Sequence, residues 1–186
     1  MENPVIKNYP YIENLNKNPS TIYKWSISGF NELIDFIKSV RAEKKNFFEL
    51  LKPKVICIFP EDIFESERVF LRTVFEDTTR EIYFFESFQI CQLNIFTISN
   101  IVGKKVLSLG ERMNQSYREV ENSINLESKI YEISDKEIYD LEFDLIISHK
   151  PTDKTNFKSK LFLEGEELRM NLIGGCKKLL ELRKID

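Results

Sequence analysis

The residues best placed to do chemistry are carboxylates. Glu61 and Asp62 follow the apolar run "VICIFP", Glu65 and Glu67 come shortly after, and Glu86 closes the later run "REIYFFE". Carboxylates at the C-terminal ends of strands in an α/β protein can hold Mg²⁺ or orient a water for attack. The competing role for Glu61 and Asp62 is polar surface at a helix start, where the helix dipole favours negative charge. Glu86 has the stronger functional claim because it ends an otherwise aromatic strand.

A nucleotide pocket also needs phosphate donors. Closely spaced glycines expose backbone N–H groups for that purpose. Neither GxxxxGK[ST] nor GxGxxG occurs, and Gly103, Gly110, Gly165 and the pair Gly174-Gly175 are the remaining weak alternatives. Ser148 and His149 adjoin at the end of "FDLIISH", but adjacency in sequence is no triad, which is defined by roles in space. One histidine and three dispersed cysteines, Cys57, Cys91 and Cys176, make a poor set of soft-metal ligands; no metal and no cofactor is expected. An odd cysteine count without CxxC spacing fits free, buried thiols in a reducing compartment.

The elements that must position these groups follow from periodicity. "KVICIF" is a strand covered on both faces, and "EDIFESERVFLRTVFED" places Ile63, Phe70, Leu71, Val74 and Phe75 on one side of a helix, with Glu67 at its edge. "REIYFFESF", "GKKVLSLG", "KIYEIS" and "FDLIISH" are further strands, whereas "ICQLNIFTIS" fits either a helix running into a strand or one long strand. Met113, Tyr117, Val120 and Ile124 predict an amphipathic helix over 111–124. A helix from Ser28 carries Phe30, Leu33, Ile34, Ile37 and Val40. "PTDKTNFKSK" is a polar loop. The last helix carries Leu168, Leu172, Cys176, Leu179 and Leu180, and Gly174-Gly175 implies either a break or close backbone packing, since each glycine costs about 1 kcal/mol relative to alanine.

The 186 residues suit an irregular arm over 1–20, rich in Asn and Pro, followed by a single α/β domain over 21–186. A net charge of -3 with mixed signs gives no surface for tracking phosphates, so nucleic acid is not an expected partner. The N-terminus lacks a signal-peptide apolar core and no run approaches the length of a membrane span. A cytoplasmic protein is expected, with peripheral membrane contact left open. Fifteen Phe and seven Tyr supply core and interface area.

Three segments, "GFNELIDFIKSV", "KPKVICIFPEDIFESERVFLRTVFED" and "REIYFFES", together resemble the middle of a bacterial actin homologue of the MreB type. In that family a strand "VVICVP" leads through "SGIT" to a helix opening "ExER" and a strand "REVYLIEEP". Val55–Pro60, Glu67-Arg68 and Arg80–Tyr83 match in order, and Glu86 falls on the glutamate near the family's catalytic water. Weaker echoes align Gly110, Glu111 and Met113 with "VGGDEMDEAI", and Gly174 and Gly175 with the late glycine-rich adenosine segment.

The resemblance implies a mixed sheet flanked by helices, an actin-like (ribonuclease-H-like) core in reduced form. The family's phosphate motifs "DLGT" and "DIGGGT" have no counterpart, and Ser87 and Phe88 replace an acid and a proline. Phosphoryl transfer depends on those positioning and neutralising groups. The resemblance therefore implies a noncatalytic, cytoskeleton-like scaffold with a degenerate nucleotide site, acting through protein partners or self-association in cell shape or division. Two alternatives stand beside it. One is a divergent ATPase or phosphotransferase using Glu86, Gly110, Gly174 and Gly175; the other is a peptide- or lipid-binding module.

Overall fold

The computed structural model describes residues 34, 35, 38, 39, 54–76, 79–97, 100–120 and 126–183. The arm expected over 1–20 and most of the helix expected from Ser28 lie outside them; residues 34, 35, 38 and 39 are helical. By internal contacts the chain divides into two units. One takes residues 1–57 and 63–84, the other 58–62 and 85–186.

In the first unit, strand β1 (Lys54–Phe59) pairs with β2 (Glu81–Glu86), and helix α1 (Glu65–Glu76) lies between them in sequence. Leu71 and Val74 are buried, and Ile34, Cys57, Phe70 and Phe84 pack against them. The apolar stripe thus faces inward as its spacing requires. Glu67 closes the start of α1: it is buried, and its Oε2 accepts from the Phe64 N–H at 2.7 Å. One of the unpaired amides of the first turn is satisfied in this way.

The second unit is built on a five-stranded sheet. Its members are β3 (Lys105–Leu109), β4 (Asn114–Glu119), β5 (Leu126–Tyr131), β7 (Leu145–Ser148) and β9 (Phe162–Glu164), in the order β5-β4-β3-β7-β9. β4 runs antiparallel to β3 and β5, while β7 lies parallel to both β3 and β9. One reversed strand beside a central first strand is the ribonuclease-H-like arrangement, so the mixed α/β sheet expected from the sequence is the one observed. Short strands β6 (Glu142–Phe143) and β8 (Lys158–Ser159) form a parallel pair.

Both sheet faces are covered. Helices α2 (Ser87–Ile95) and α3 (Gly165–Arg183) lie on one, where Phe88, Cys91 and Leu168 join Val106, Tyr117, Leu145, Ile147 and Leu163. The Phe88 and Tyr117 rings stack at 3.8 Å between centroids. On the other face Leu107, Leu109, Tyr131 and Ile146 pack with Phe143 and with Ile138 of a short 3₁₀ turn. Continuous apolar runs in β3 and β7 are what burial on both faces demands.

One expectation changes. Within the helix predicted over 111–124, residues 114–119 form β4, preceded by a tight turn, because they pair on both edges; residues 121–124 lie outside the described residues. Of the two alternatives at Gly174-Gly175, close backbone packing is the one observed, since α3 runs unbroken through the pair. No helix among the described residues is long and apolar enough to cross a membrane.

Candidate functional site

Pro60 stops β1, and the two carboxylates that follow belong to the second unit. They are not polar surface: Glu61 is 4% exposed and Asp62 2%. A buried carboxylate needs donors, and Glu61 finds them on three elements. Its Oε1 accepts from the Phe88 N–H at 2.6 Å, within the first turn of α2. Its Oε2 accepts from Ser108 Oγ in β3 and lies 3.2 Å from His149 Nε2, just beyond β7. The helix start favours the negative charge as well.

Neighbouring bonds hold the same junction. Ser87 Oγ donates to the Phe59 carbonyl at 2.9 Å, and the His149 N–H donates to the Leu109 carbonyl at 3.1 Å. Asp62 Oδ2 accepts from the backbone N–H groups of Glu111 and Arg112, at 2.9 and 3.1 Å. The turn between β3 and β4 is thereby tied to the chain leaving β1. Ser148 faces its own loop, with Oγ donating to the Lys150 carbonyl at 2.7 Å and lying 2.8 Å from Thr152 Oγ1. A hydroxyl, a carboxylate and an imidazole do converge here, but Ser108 bonds to the carboxylate rather than to the imidazole.

The four residues expected at a nucleotide if the chain binds one lie at the start of α2, in the β3–β4 turn and along α3. Glu86 is the N-cap of α2; its side chain accepts from the Gln89 N–H while Gln89 Oε1 accepts from the Glu86 N–H at 2.9 Å, a reciprocal capping box. Gly110 sits in the β3–β4 turn, where an added Cβ would meet the Met113 carbonyl oxygen at 2.6 Å and Asp62 Oδ2 at 2.7 Å. Asp62 can approach because that side chain is missing.

Gly174 and Gly175 let α3 close onto α2. A Cβ on Gly174 would lie 2.6 Å from Asn94 Oδ1, and one on Gly175 would collide with the Ile90 carbonyl oxygen. Asn94 bonds across the contact, its Nδ2 donating to Asn171 Oδ1 at 2.7 Å, and Lys178 Nζ donates to the Asn94 carbonyl at 2.7 Å. The space beside both glycines belongs to α2.

No disulfide forms among the cysteines. Burial pushes the Cys57 thiol up to about 12. Burial, then the charge of Glu61 and the nearby Cys176, raises that of Cys91, and burial raises that of Cys176. These thiols stay protonated and unreactive at neutral pH. Among the described residues no group of three or more His, Cys, Asp or Glu is arranged to hold a metal ion.

Sequence reasoning reached Glu61, Asp62 and His149 but missed Ser108. The signal was available: a lone hydroxyl in "VLSLG", within a strand buried on both faces, requires a partner.

No protein-family model matches the chain, and no curated protein matches it in sequence. Partial likenesses occur among solved structures. MreB5 of Spiroplasma citri bound to AMPPNP is 16% identical, with TM-score 0.41 over 54% of this chain and 31% of that one. The AlfA filament bound to AMPPNP is 12% identical, with TM-score 0.46 over 86% and 69%. A non-polymerising MamK mutant bound to AMPPNP is 7% identical, with TM-score 0.44 over 68% and 37%. The chain spans about a third of the length of the MreB5 chain it matches. The fold assignment rests on the sheet order and strand senses given above.

Proposed function

We propose that this chain is a noncatalytic, MreB-like scaffold or interaction protein that works through protein contacts in the cytoplasm, in cell shape or division. One observation carries the noncatalytic half. Glu61, the buried carboxylate at the end of β1, spends both oxygens on the protein's own donors from α2, β3 and the residue after β7. A carboxylate so engaged works as a structural clamp. The sequence resemblance over residues 29–88 supplies the MreB-like half, and the missing phosphate motifs argue against transfer chemistry.

Calorimetric titration with ATP and Mg²⁺, together with a phosphate-release assay, tests this reading. No saturable binding and no release above background are expected. Saturable ATP binding that Glu86→Gln weakens would instead establish the nucleotide-dependent alternative.

A further inference from the structure

The five-stranded sheet ends on β5, which among the described residues has β4 on one side and no strand on the other. Unpaired edges recruit other strands, and proteins commonly blunt them with charge, proline or a bulge. β5 is six residues long with no proline, and all but Tyr131 are exposed. Leu126 is 39% exposed and Ile130 62%, both large aliphatics for an edge open to water. Alternation puts Leu126, Ser128 and Ile130 on one face, and Glu127 and Lys129 on the face shared with Tyr131.

We propose that β5 pairs antiparallel with β5 of a second copy of this chain, in a register centred on Ser128, joining the two sheets into one. The commitment to a second copy comes from the strand's own sequence, "LESKIY". With a two-fold axis at Ser128, Leu126 opposes Ile130 of the other copy, and Glu127 opposes Lys129, twice each by symmetry. Apolar meets apolar on one face, and opposite charges meet on the other.

Other registers lack this match. Centring on Lys129 keeps an equal overlap but sets Lys129 against its own copy and Glu127 against Tyr131; centring on Glu127 opposes two carboxylates over a shorter stretch. A parallel in-register pairing stacks like charges throughout. Directly opposed like charges destabilise a pair, whereas opposite charges contribute about 0.2–1 kcal/mol each.

The charges inside each copy extend the pattern. Glu127 lies across from Arg118 of β4, and Lys129 Nζ is bonded to Glu137 Oε1 at 2.7 Å, with both side chains about half exposed. In the pair, signs alternate from Arg118 to Glu127, then to Lys129 and Glu137 of the other copy. The inference goes beyond the scaffold reading and does not depend on it, since a nucleotide-binding chain could pair in the same way.

Charge swapping tests it with the full chain. Sedimentation is followed from about 1 µM to 1 mM, a range that detects weak association. Wild type shows a concentration-dependent monomer–dimer equilibrium; Glu127→Lys alone and Lys129→Glu alone each weaken it by about tenfold or more. An equimolar mixture of the two single variants regains association, because each then presents the charges that the other lacks. Glu137→Gln, which removes only the internal partner of Lys129, leaves a dimer. Circular dichroism confirms that each variant is folded, which matters for Glu127→Lys because it faces Arg118. A wild type that stays monomeric overturns the proposal, as does a dimer indifferent to both reversals, or a mixture of folded variants no more associated than either alone.

Discussion

At the scale of single residues, Glu61 draws partners from three separate stretches of chain. Glu61→Ala leaves the Phe88 N–H, the Ser108 hydroxyl and His149 without this acceptor, and a loss of about 1–3 kcal/mol for each stranded buried donor is expected from urea unfolding. Ser108→Ala removes one bond to a charged group and should cost about 1.5–3 kcal/mol. If Glu61 instead proves neutral on removal, the clamp does not exist. Asp144 sets a pH dependence. Partial burial pushes its carboxyl up, but hydrogen bonds from Lys160 and the Lys105 N–H, with the charges of Lys104 and Lys160, outweigh this and hold it below the usual range. Its stabilising contribution is therefore complete above the unfolded value of about 3.9 and is lost as pH falls through the lower folded value. Asp144→Asn should flatten that acid limb in a pH series of thermal melts. Of these residues the sequence exposed the acids and the histidine but not their arrangement, because Glu61, Ser108 and His149 are far apart along the chain and meet only through the sheet.

At the scale of elements, the glycine pair gives the sharpest contrast. On an isolated helix Gly→Ala gains about 1 kcal/mol. Here Gly174→Ala presses on the Asn94 amide, a side chain able to turn away, while Gly175→Ala presses on the Ile90 backbone carbonyl, which cannot. Gly174→Ala should be nearly neutral and Gly175→Ala destabilising by about 1–3 kcal/mol, read from paired denaturation curves. Strands β3 and β7 were legible because burial on both faces demands unbroken apolar runs; β1 was legible from the same kind of run, although all of it but Phe59 is only half-buried and not covered on both faces as expected. β4 was not, since Met113, Tyr117, Val120 and Ile124 happen to fall at helical intervals while only Tyr117 anchors the strand in the core. Pairing on both edges overrode that local pattern. Glu86, at the end of an aromatic strand, caps the next helix, a contact that the strand pattern alone does not show.

For the whole molecule, the division into units cuts β1 after Cys57 and β2 after Phe84, so neither unit is one continuous stretch of chain. The single domain expected over 21–186 predicts coincident unfolding curves for amides of α1 and of β3 in hydrogen exchange against urea. Two separated transitions would make the units independent. The sequence carried the α/β class through the order of its apolar runs, but not the division, which depends on contacts between distant segments. The interleaving also bears on how the chain is made. Glu61 leaves the ribosome 47 residues ahead of Ser108 and 88 ahead of His149. At about 5–20 residues per second, the carboxylate waits roughly 4–18 s for its imidazole neighbour to be synthesised. A nascent chain interrupted in that interval carries an acid with an incomplete set of partners, and the bond network that fastens the sheet closes only once His149 has been made.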